Sequence, residues 1–149
     1  MHSSARRNLE RFLKIYSTSF NKDLPLEVLD IGSNAISKKW STCKSILQSS
    51  NLKFNYTGVD IEPGLNVDVV IKDVYSYEEI PSNTYDLVTA TSVFEHVEFF
   101  WLTFLEILRV IKLNGLFYMN TLSNGDFHRW PVDCWRFYPD SSNALVKWA

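Results

Sequence analysis

From Leu26 to Ala35 the chain reads Leu-Glu-Val-Leu-Asp-Ile-Gly-Ser-Asn-Ala, an apolar run that ends in an acid and a glycine before an amphipathic segment. That order predicts a buried strand turning sharply into a helix, and few architectures accommodate such a unit. A turn of this kind gathers several free backbone N–H groups and the positive end of a helix dipole at one point. It suits the carboxylate or phosphate end of a nucleotide-like ligand. Asp30 departs from a phosphate-binding turn, because its charge would repel a pyrophosphate and attract an ammonium group. A ligand with a carboxylate, an ammonium and a nucleoside fits these demands together, and S-adenosylmethionine is such a molecule.

Elsewhere the chain alternates between helical and strand patterns. Ser3 or Ser4 is placed to cap a first helix, within residues 1–20, on which Leu9, Phe12, Leu13, Tyr16 and Phe20 recur at helical spacing. Strands are expected over Leu26–Ile31, Phe54–Ile61, Val67–Ile71, Tyr85–Thr91 and Leu116–Leu122. Ser37–Ser50 reads as a helix with Trp40, Cys43, Ile46 and Leu47 on one side, and Val97–Lys112 as a second one, with Leu102 on its polar side. Asn114-Gly115 is expected to end that second helix in a left-handed cap. Pro63-Gly64 leaves little room for a crossover helix after the second strand, and Ser142–Trp148 begins a last helix. Alternation of this kind predicts an α/β architecture, with a largely parallel sheet between two layers of helices. Ligands of such sheets bind beyond the carboxyl ends of the strands. Asp30-x-Gly32, Asp60, Asp73 and the run Thr91-Ser92-Val93-Phe94-Glu95-His96 all fall there.

Composition narrows the function. With 149 residues, 46% hydrophobic and 21% charged, the chain is expected to form a single globular domain. A formal net charge of −2 argues against nucleic acid as a general partner. The basic cluster Arg6, Arg7, Arg11 and Lys14 reads as the solvated face of the first helix. Cys43 and Cys134 stand far apart without CxxC spacing, so reduced thiols in a cytoplasmic protein are expected rather than a disulfide framework or a zinc site, and no resident metal is expected. The apolar stretch Val97–Ile111 is too short and too charged to span a membrane.

In its ordered motifs the chain resembles a class I S-adenosylmethionine-dependent methyltransferase, of the type acting on small molecules, lipids or sugars. The resemblance rests on Val28-Leu29-Asp30-Ile31-Gly32, Tyr56-x-Gly58-Val59-Asp60-Ile61, Asp73-Val74 and Tyr85-Asp86-Leu87-Val88. Val93-Phe94-Glu95-His96-Val97 and Leu105-x-x-Leu108-Arg109-Val110-Ile111-Lys112-x-Asn114-Gly115 continue it, and the set spans about residues 26–122. It implies a Rossmann-like three-layer sandwich with strand order 3-2-1-4-5. It also implies that the backbone around Gly32, with Ser33 and Asn34, approaches the methionine end of the cofactor, and that Asp30 faces its ammonium group. Asp60 would accept the ribose hydroxyls and Ile61 would lie against the adenine. Asp73 and the Val74 N–H would bind the base, and Thr91 would complete the cofactor set. Asp60 and Asp73 also read as ordinary strand-terminating turn residues. Two departures stand out: Asn34 and Ile36 occupy positions where small residues are expected, and the family's later strands are missing, as in a C-terminally truncated member. Without them the fifth strand would be an apolar edge, covered by a homodimer or by further chain.

Residues 126–140 form the most individual segment, with His128, Trp130, Asp133, Trp135 and Arg136 among several rings. The segment resembles a loop of bacterial methyltransferases associated with surface-polysaccharide synthesis, approximately His-x-x-Pro-x-Asp-x-x-Arg-Phe. Trp130 and Trp135 are candidates for a platform under a sugar or planar acceptor, and Arg136 for holding a carboxylate or phosphate. Equally, the rings could cap the sheet edge and Asp133–Arg136 could be a local ion pair. The expected reaction is in-line methyl displacement onto a small-molecule or saccharide acceptor. An oxygen acceptor needs a base, with His128 the first candidate, His96 the second and Asp133 orienting whichever acts. A nicotinamide-binding turn would need glycine near Asn34 and Ser37, and a nucleic-acid amino-methyltransferase would need Asn/Asp-Pro-Pro-aromatic where Ala90-Thr91-Ser92-Val93 stands. The remaining alternative is a catalytically silent module of the same fold that binds the cofactor or a protein partner.

Overall fold

The computed structural model describes residues 2–21, 23–35, 37 and 41–149. The elements run α1 (Ser3–Tyr16), β1 (Leu26–Ile31), α2 (Cys43–Gln48), β2 (Phe54–Asp60), β3 (Val69–Val70), β4 (Tyr85–Thr91), a single 3₁₀ turn (Phe94–His96), α3 (Phe100–Val110), β5 (Ile111–Asn120) and α4 (Ser141–Trp148). The five strands are all parallel and lie in the order β3-β2-β1-β4-β5. The Rossmann-like sheet expected from the motifs is therefore the one observed.

The central strands are apolar almost throughout because both of their faces are covered. On one face Leu29, Ile31, Val59, Val88 and Ala90 pack with Phe104, Ile107 and Val110 of α3, with Phe94, and with Leu145 of α4. On the other, Val28, Leu87 and Tyr118 pack with Leu9 and Leu13 of α1 and with Cys43, Ile46 and Leu47 of α2. Two neighbouring residues of one strand thus serve two different cores.

Several boundaries differ from those expected, each for a local reason. Ser3 and Ser4 lie inside the first turn of α1; His2 is the N-cap and makes no side-chain cap bond. α2 begins at Cys43, behind a reciprocal capping box between Thr42 and Ser45. The expected helical positions before residue 41, Trp40 among them, lie outside the described residues, as does Ile36. α3 starts at Phe100 rather than Val97, because the Trp135 indole N–H donates to the carbonyls of Val97 and Glu98, both at 3.0 Å. A continuous helix needs those two oxygens for its own backbone. At the other end, Val110 closes α3 and β5 follows at once. Asn114 does adopt a left-handed φ of 66°, though inside β5 rather than as a helix cap. Tyr85 pairs with Ile111 and Leu87 with Leu116, so residues 112–115 bulge out against Asp86, whose carboxylate holds the Lys112 ammonium at 2.9 and 3.0 Å. β3 is shorter than expected. Residues 61–68 join it to β2 without a helix, in keeping with Pro63-Gly64.

Candidate active site

The expected donor-binding residues collect at the carboxyl ends of β1, β2 and β4. Gly32 has φ +69°, a conformation that a side chain would strain, and a Cβ there would come within 2.5 Å of Val93 Cγ2. The sharp turn after β1 is therefore real, while its backbone donors are taken. Gly32 and Ser33 N–H donate to the Val59 carbonyl at 2.9 and 3.1 Å, and Ala35 N–H donates to the Leu65 carbonyl at 3.1 Å. Asn34 N–H donates to Asp60 Oδ2 at 3.1 Å. Among the described residues, 33–35 and 37 are not helical and α2 begins at Cys43, so the expected cluster of free N–H groups at a helix N-terminus is not seen at this turn. The Asn34 amide lies against Gly64 so closely that a Cβ there would overlap it, which docks the turn onto the β2–β3 loop.

Asp30 is buried, on the sheet face that packs under α2. Its carboxylate accepts from Tyr56 Oη at 2.7 Å and from Thr89 Oγ1 at 2.7 Å, and Cys43 Sγ lies 3.3 Å from Thr89 Oγ1. Burial raises its pKa to about 6, against the opposing pull of the two hydroxyl bonds. Burial also pushes up the Cys43 thiol and the Tyr56 phenol, each facing the Asp30 charge, so both stay protonated. Period-2 alternation would have found Tyr56 and Thr89, since both point to the Asp30 face of neighbouring strands.

Asp60 closes β2 and accepts a second backbone bond, from Glu62 N–H at 3.3 Å. Ile61 beside it is 44% exposed, in keeping with a surface left for a planar group. Asp73 accepts from the Tyr75 N–H at 2.8 Å, so the turn role is the one its carboxylate makes here, while the Val74 carbonyl accepts from Thr103 Oγ1 at 2.8 Å. Asp30, Asp60 and Asp73 thus occupy neighbouring strand tips and face three different local partners. Ser33 Oγ and Thr91 Oγ1, also at these tips, are buried with no hydrogen-bond partner among the described residues. A nucleoside and an amino acid carry the complementary groups, so these two hydroxyls and the Asp60 carboxylate fit the cofactor. The Gly32 turn backbone adds no free donor. A cavity of about 310 Å³ next to the turn is lined by Ser37, Thr42, Ser45 and Leu65, among others. A larger one of about 660 Å³, lined by Leu13, Phe20, Leu26 and Leu52, opens at the opposite end of the sheet and touches none of these residues.

The 126–140 segment is pinned over the 3₁₀ turn. Cys134 and Trp135 N–H both donate to the Glu95 carbonyl, at 2.8 and 3.2 Å, and Phe137 N–H donates to Leu122 at 2.7 Å. Phe137 is buried in an aromatic cluster with Phe94 and Phe100. Trp135 packs edge-on against Phe100 and Trp101 at 5.4 and 6.3 Å, so it covers the start of α3 rather than pairing with Trp130, which stands 63% exposed. Arg136 binds Asp133 through two bonds at 2.6 and 2.8 Å, and two further N–H groups reach the Trp135 and Asp126 carbonyls. The local ion pair is the arrangement formed, and it engages both terminal nitrogens of the guanidinium. The Arg136 bonds, then the His128 backbone N–H at 2.7 Å, hold the Asp133 carboxyl well below its usual range.

Both histidines meet beside this loop. Their rings lie edge-to-face with centroids 4.9 Å apart. His96 Nδ1 is 2.6 Å from the Val132 carbonyl, and His128 Nδ1 is 3.2 Å from the Asp126 carbonyl. Asp133 Oδ2 stands 3.7 Å from the His128 ring, too far for a hydrogen bond, so it holds the loop backbone and the Asp126 carbonyl orients the ring. Glu95, given no role by its sequence position, is completely buried; Thr121 Oγ1 donates to its Oε2 at 2.6 Å, and its Oε1 has no partner among the described residues.

The strand order and the flanking helices define a Rossmann-like fold, and comparison with known proteins agrees. Residues 41–119, more than half of the chain, match the sequence profile described as a methyltransferase domain. The chain belongs to that family, a class of enzymes whose methyl donor is S-adenosylmethionine. Among solved structures, a SAM-dependent methyltransferase from Archaeoglobus fulgidus superposes with a TM-score of 0.63 at 17% identity, over 96% of this chain and 67% of that one. The YcgJ protein from Bacillus subtilis gives 0.67 at 19% identity, over 98% and 67%. The trans-methyltransferase CalH, in complex with S-adenosylhomocysteine, gives 0.53 at 16% identity, over 76% and 35%. No curated protein matches the sequence.

Proposed function

We propose that this methyltransferase moves the methyl group of S-adenosylmethionine onto an oxygen of a small-molecule or saccharide acceptor by in-line displacement. What supports the reading is that two buried hydroxyls, Ser33 Oγ and Thr91 Oγ1, have no hydrogen-bond partner among the described residues, at the ends of β1 and β4, while Asp60 closes the neighbouring β2. Buried polar atoms without partners are costly and scarce in folded proteins. Asp60 would accept the ribose hydroxyls, Ile61 would cover the base, and Ser33 and Thr91 would hold the amino-acid end. Bound cofactor supplies a sulfonium methyl with a good leaving group already in place. The protein therefore contributes alignment, exclusion of water and a place for the acceptor proton. With Nδ1 of each histidine facing a carbonyl, the proton sits on Nδ1 and the lone pair on Nε2. His128, 47% exposed at its side chain, is the base that an acceptor hydroxyl would reach first, with His96 behind it. Trp130 offers the exposed apolar surface on which a sugar ring could rest.

A second reading, a silent module of the same fold, draws on the occupied N–H groups of residues 32–35, which leave the turn closed on the β2–β3 loop. Thermal unfolding with S-adenosylhomocysteine tests donor binding. At about one hundred times the dissociation constant, one-site linkage adds about 2.7 kcal/mol. For a domain of this size that raises the melting temperature by about 5–11 °C. No shift sinks the donor site. A shift together with no transfer to any of a panel of saccharides favours the silent module. Transfer that survives unchanged in His128→Ala removes His128 as the base.

A further inference from the structure

Beyond methyl transfer, we infer that Glu95, His96 and His128 form a binding site for one divalent cation of the zinc–iron–manganese group. A carboxylate oxygen of Glu95 and one ring nitrogen of each histidine lie within 4.8 Å of one another. Two ligands at about 2.1 Å from a tetrahedral ion are about 3.4 Å apart, so the cluster needs only a modest closure. His128 supplies it, since its side chain is 47% exposed on a loop and has room to swing. Glu95 is the second and independent indication. It is 0% exposed, and its Oε1 has no hydrogen-bond partner among the described residues. A buried acid with an unpartnered oxygen beside two imidazoles calls for a proton or a cation. Arg136 is also near, and its charge is already matched by the two-bond pair with Asp133.

Each candidate ligand has an outer partner that fixes it. Thr121 Oγ1 donates to Glu95 Oε2, the Val132 carbonyl faces His96 Nδ1, and the Asp126 carbonyl faces His128 Nδ1. Metal-ligating histidines are commonly held through the other ring nitrogen, and this pattern leaves both Nε2 lone pairs for the ion. One carboxylate and two imidazoles suit zinc, iron(II) or manganese better than magnesium or calcium, which favour all-oxygen shells. Three protein ligands leave a coordination position open, next to the loop proposed to meet the acceptor. The ion would take the Nε2 lone pair that the methyl-transfer reading gives to His128 as base, so an occupied site replaces that role; ion binding itself is measured with neither donor nor acceptor present.

The experiment titrates chelator-stripped full chain with Co²⁺, as the spectroscopic probe, and with Zn²⁺, Mn²⁺ and Mg²⁺ by calorimetry and thermal unfolding. Visible absorption bands with one equivalent of Co²⁺, displaced by Zn²⁺, are expected, with Mg²⁺ binding at least about tenfold more weakly. His128→Ala, on an exposed loop, and Glu95→Gln should each weaken Zn²⁺ binding by about a hundredfold or more, while His2→Ala, remote in sequence, should leave it unchanged. No saturable binding of Co²⁺ or Zn²⁺ overturns the site. Binding that survives His128→Ala with its affinity intact, or that is lost in Cys134→Ser alone, overturns it as well.

Discussion

The two faces of the sheet are built from the same strands and yet solve different problems. On the α3 face the fully buried residues of the central strands are apolar, Leu29, Ile31, Val59, Val88 and Ala90, and the polar Glu27, Thr57 and Asp86 of that face are only half-buried. On the α1/α2 face the apolar floor of Val28 and Leu87 gives way, toward the strand tips, to Asp30, Thr89, Tyr56 and Cys43. The first face derives its stability from burial alone. The second gives up some of that stability to hold an ionisable group at the mouth of the site, and its worth depends on pH. The contrast is thus between an apolar face whose contribution is independent of pH and a face whose contribution follows the charge of Asp30.

The largest effect expected from the contrast is on the apolar face. Ile107 of α3 is completely buried there, and Ile107→Ala should destabilise the protein by about 2–5 kcal/mol. Denaturant unfolding should return the same loss at pH 5 and at pH 8, because no charge is involved. A strong pH dependence of that loss would break the division between the faces.

Asp30 should behave in the opposite way. Its folded pKa of about 6 lies above the ordinary 3.8, so between those values the native state holds more proton than the unfolded chain. The contribution is therefore full below about pH 4, falls as pH rises through about 6, and is absent above it. At 1.36 kcal/mol for each unit, the difference amounts to roughly 3 kcal/mol. Asp30→Asn removes it, so unfolding curves of wild type and variant should converge or cross as pH rises from 4 to 8. A constant gap between them would mean that Asp30 titrates as an exposed carboxylate. Tyr56→Phe sharpens the test. It takes away a bond to the charged form and should cost about 1.5–3 kcal/mol at pH 8 and less at pH 5.

How far this division could be read in advance depended on the range of the interactions. The order of the strands and the positions of β1, β2 and β4 were legible, because β1 and β4 are rich in apolar residues and the motifs occur in family order. The early end of α3 was not. It is set by the Trp135 indole, which lies 37 and 38 residues away in sequence and takes two carbonyls that local periodicity assigns to a helix. Asn114-Gly115 showed a left-handed turn correctly and its context wrongly, since helix cap and bulge use the same backbone conformation. The donor turn was legible as a turn. That its N–H groups would be taken by Val59, Asp60 and Leu65 depended on how the β2–β3 loop docks, and no pattern within residues 26–35 encodes that. Glu95 escaped for a similar reason: its burial comes from the 126–140 loop closing over it, and an acid at the start of a helical segment reads as a solvated one.

The smallest expected change is the most discriminating. Thr91 lies on the polar face at the end of β4, with a buried hydroxyl that has no hydrogen-bond partner among the described residues. Thr91→Val keeps the shape and the β-branched preference for a strand while deleting only that hydroxyl. If Oγ1 is kept for a ligand, the variant should be as stable as the wild type or up to about 1 kcal/mol more stable, since an unmet polar group is relieved. Its affinity for S-adenosylhomocysteine should meanwhile fall by about three- to tenfold, the equivalent of one neutral hydrogen bond. Loss of stability would place Thr91 with the structural network of Thr89 and Asp30. Unchanged affinity would leave Ser33 and Asp60 to hold the donor without it. Only a variant that gains or keeps stability while losing ligand separates a polar face built for binding from one that merely tolerates polar groups.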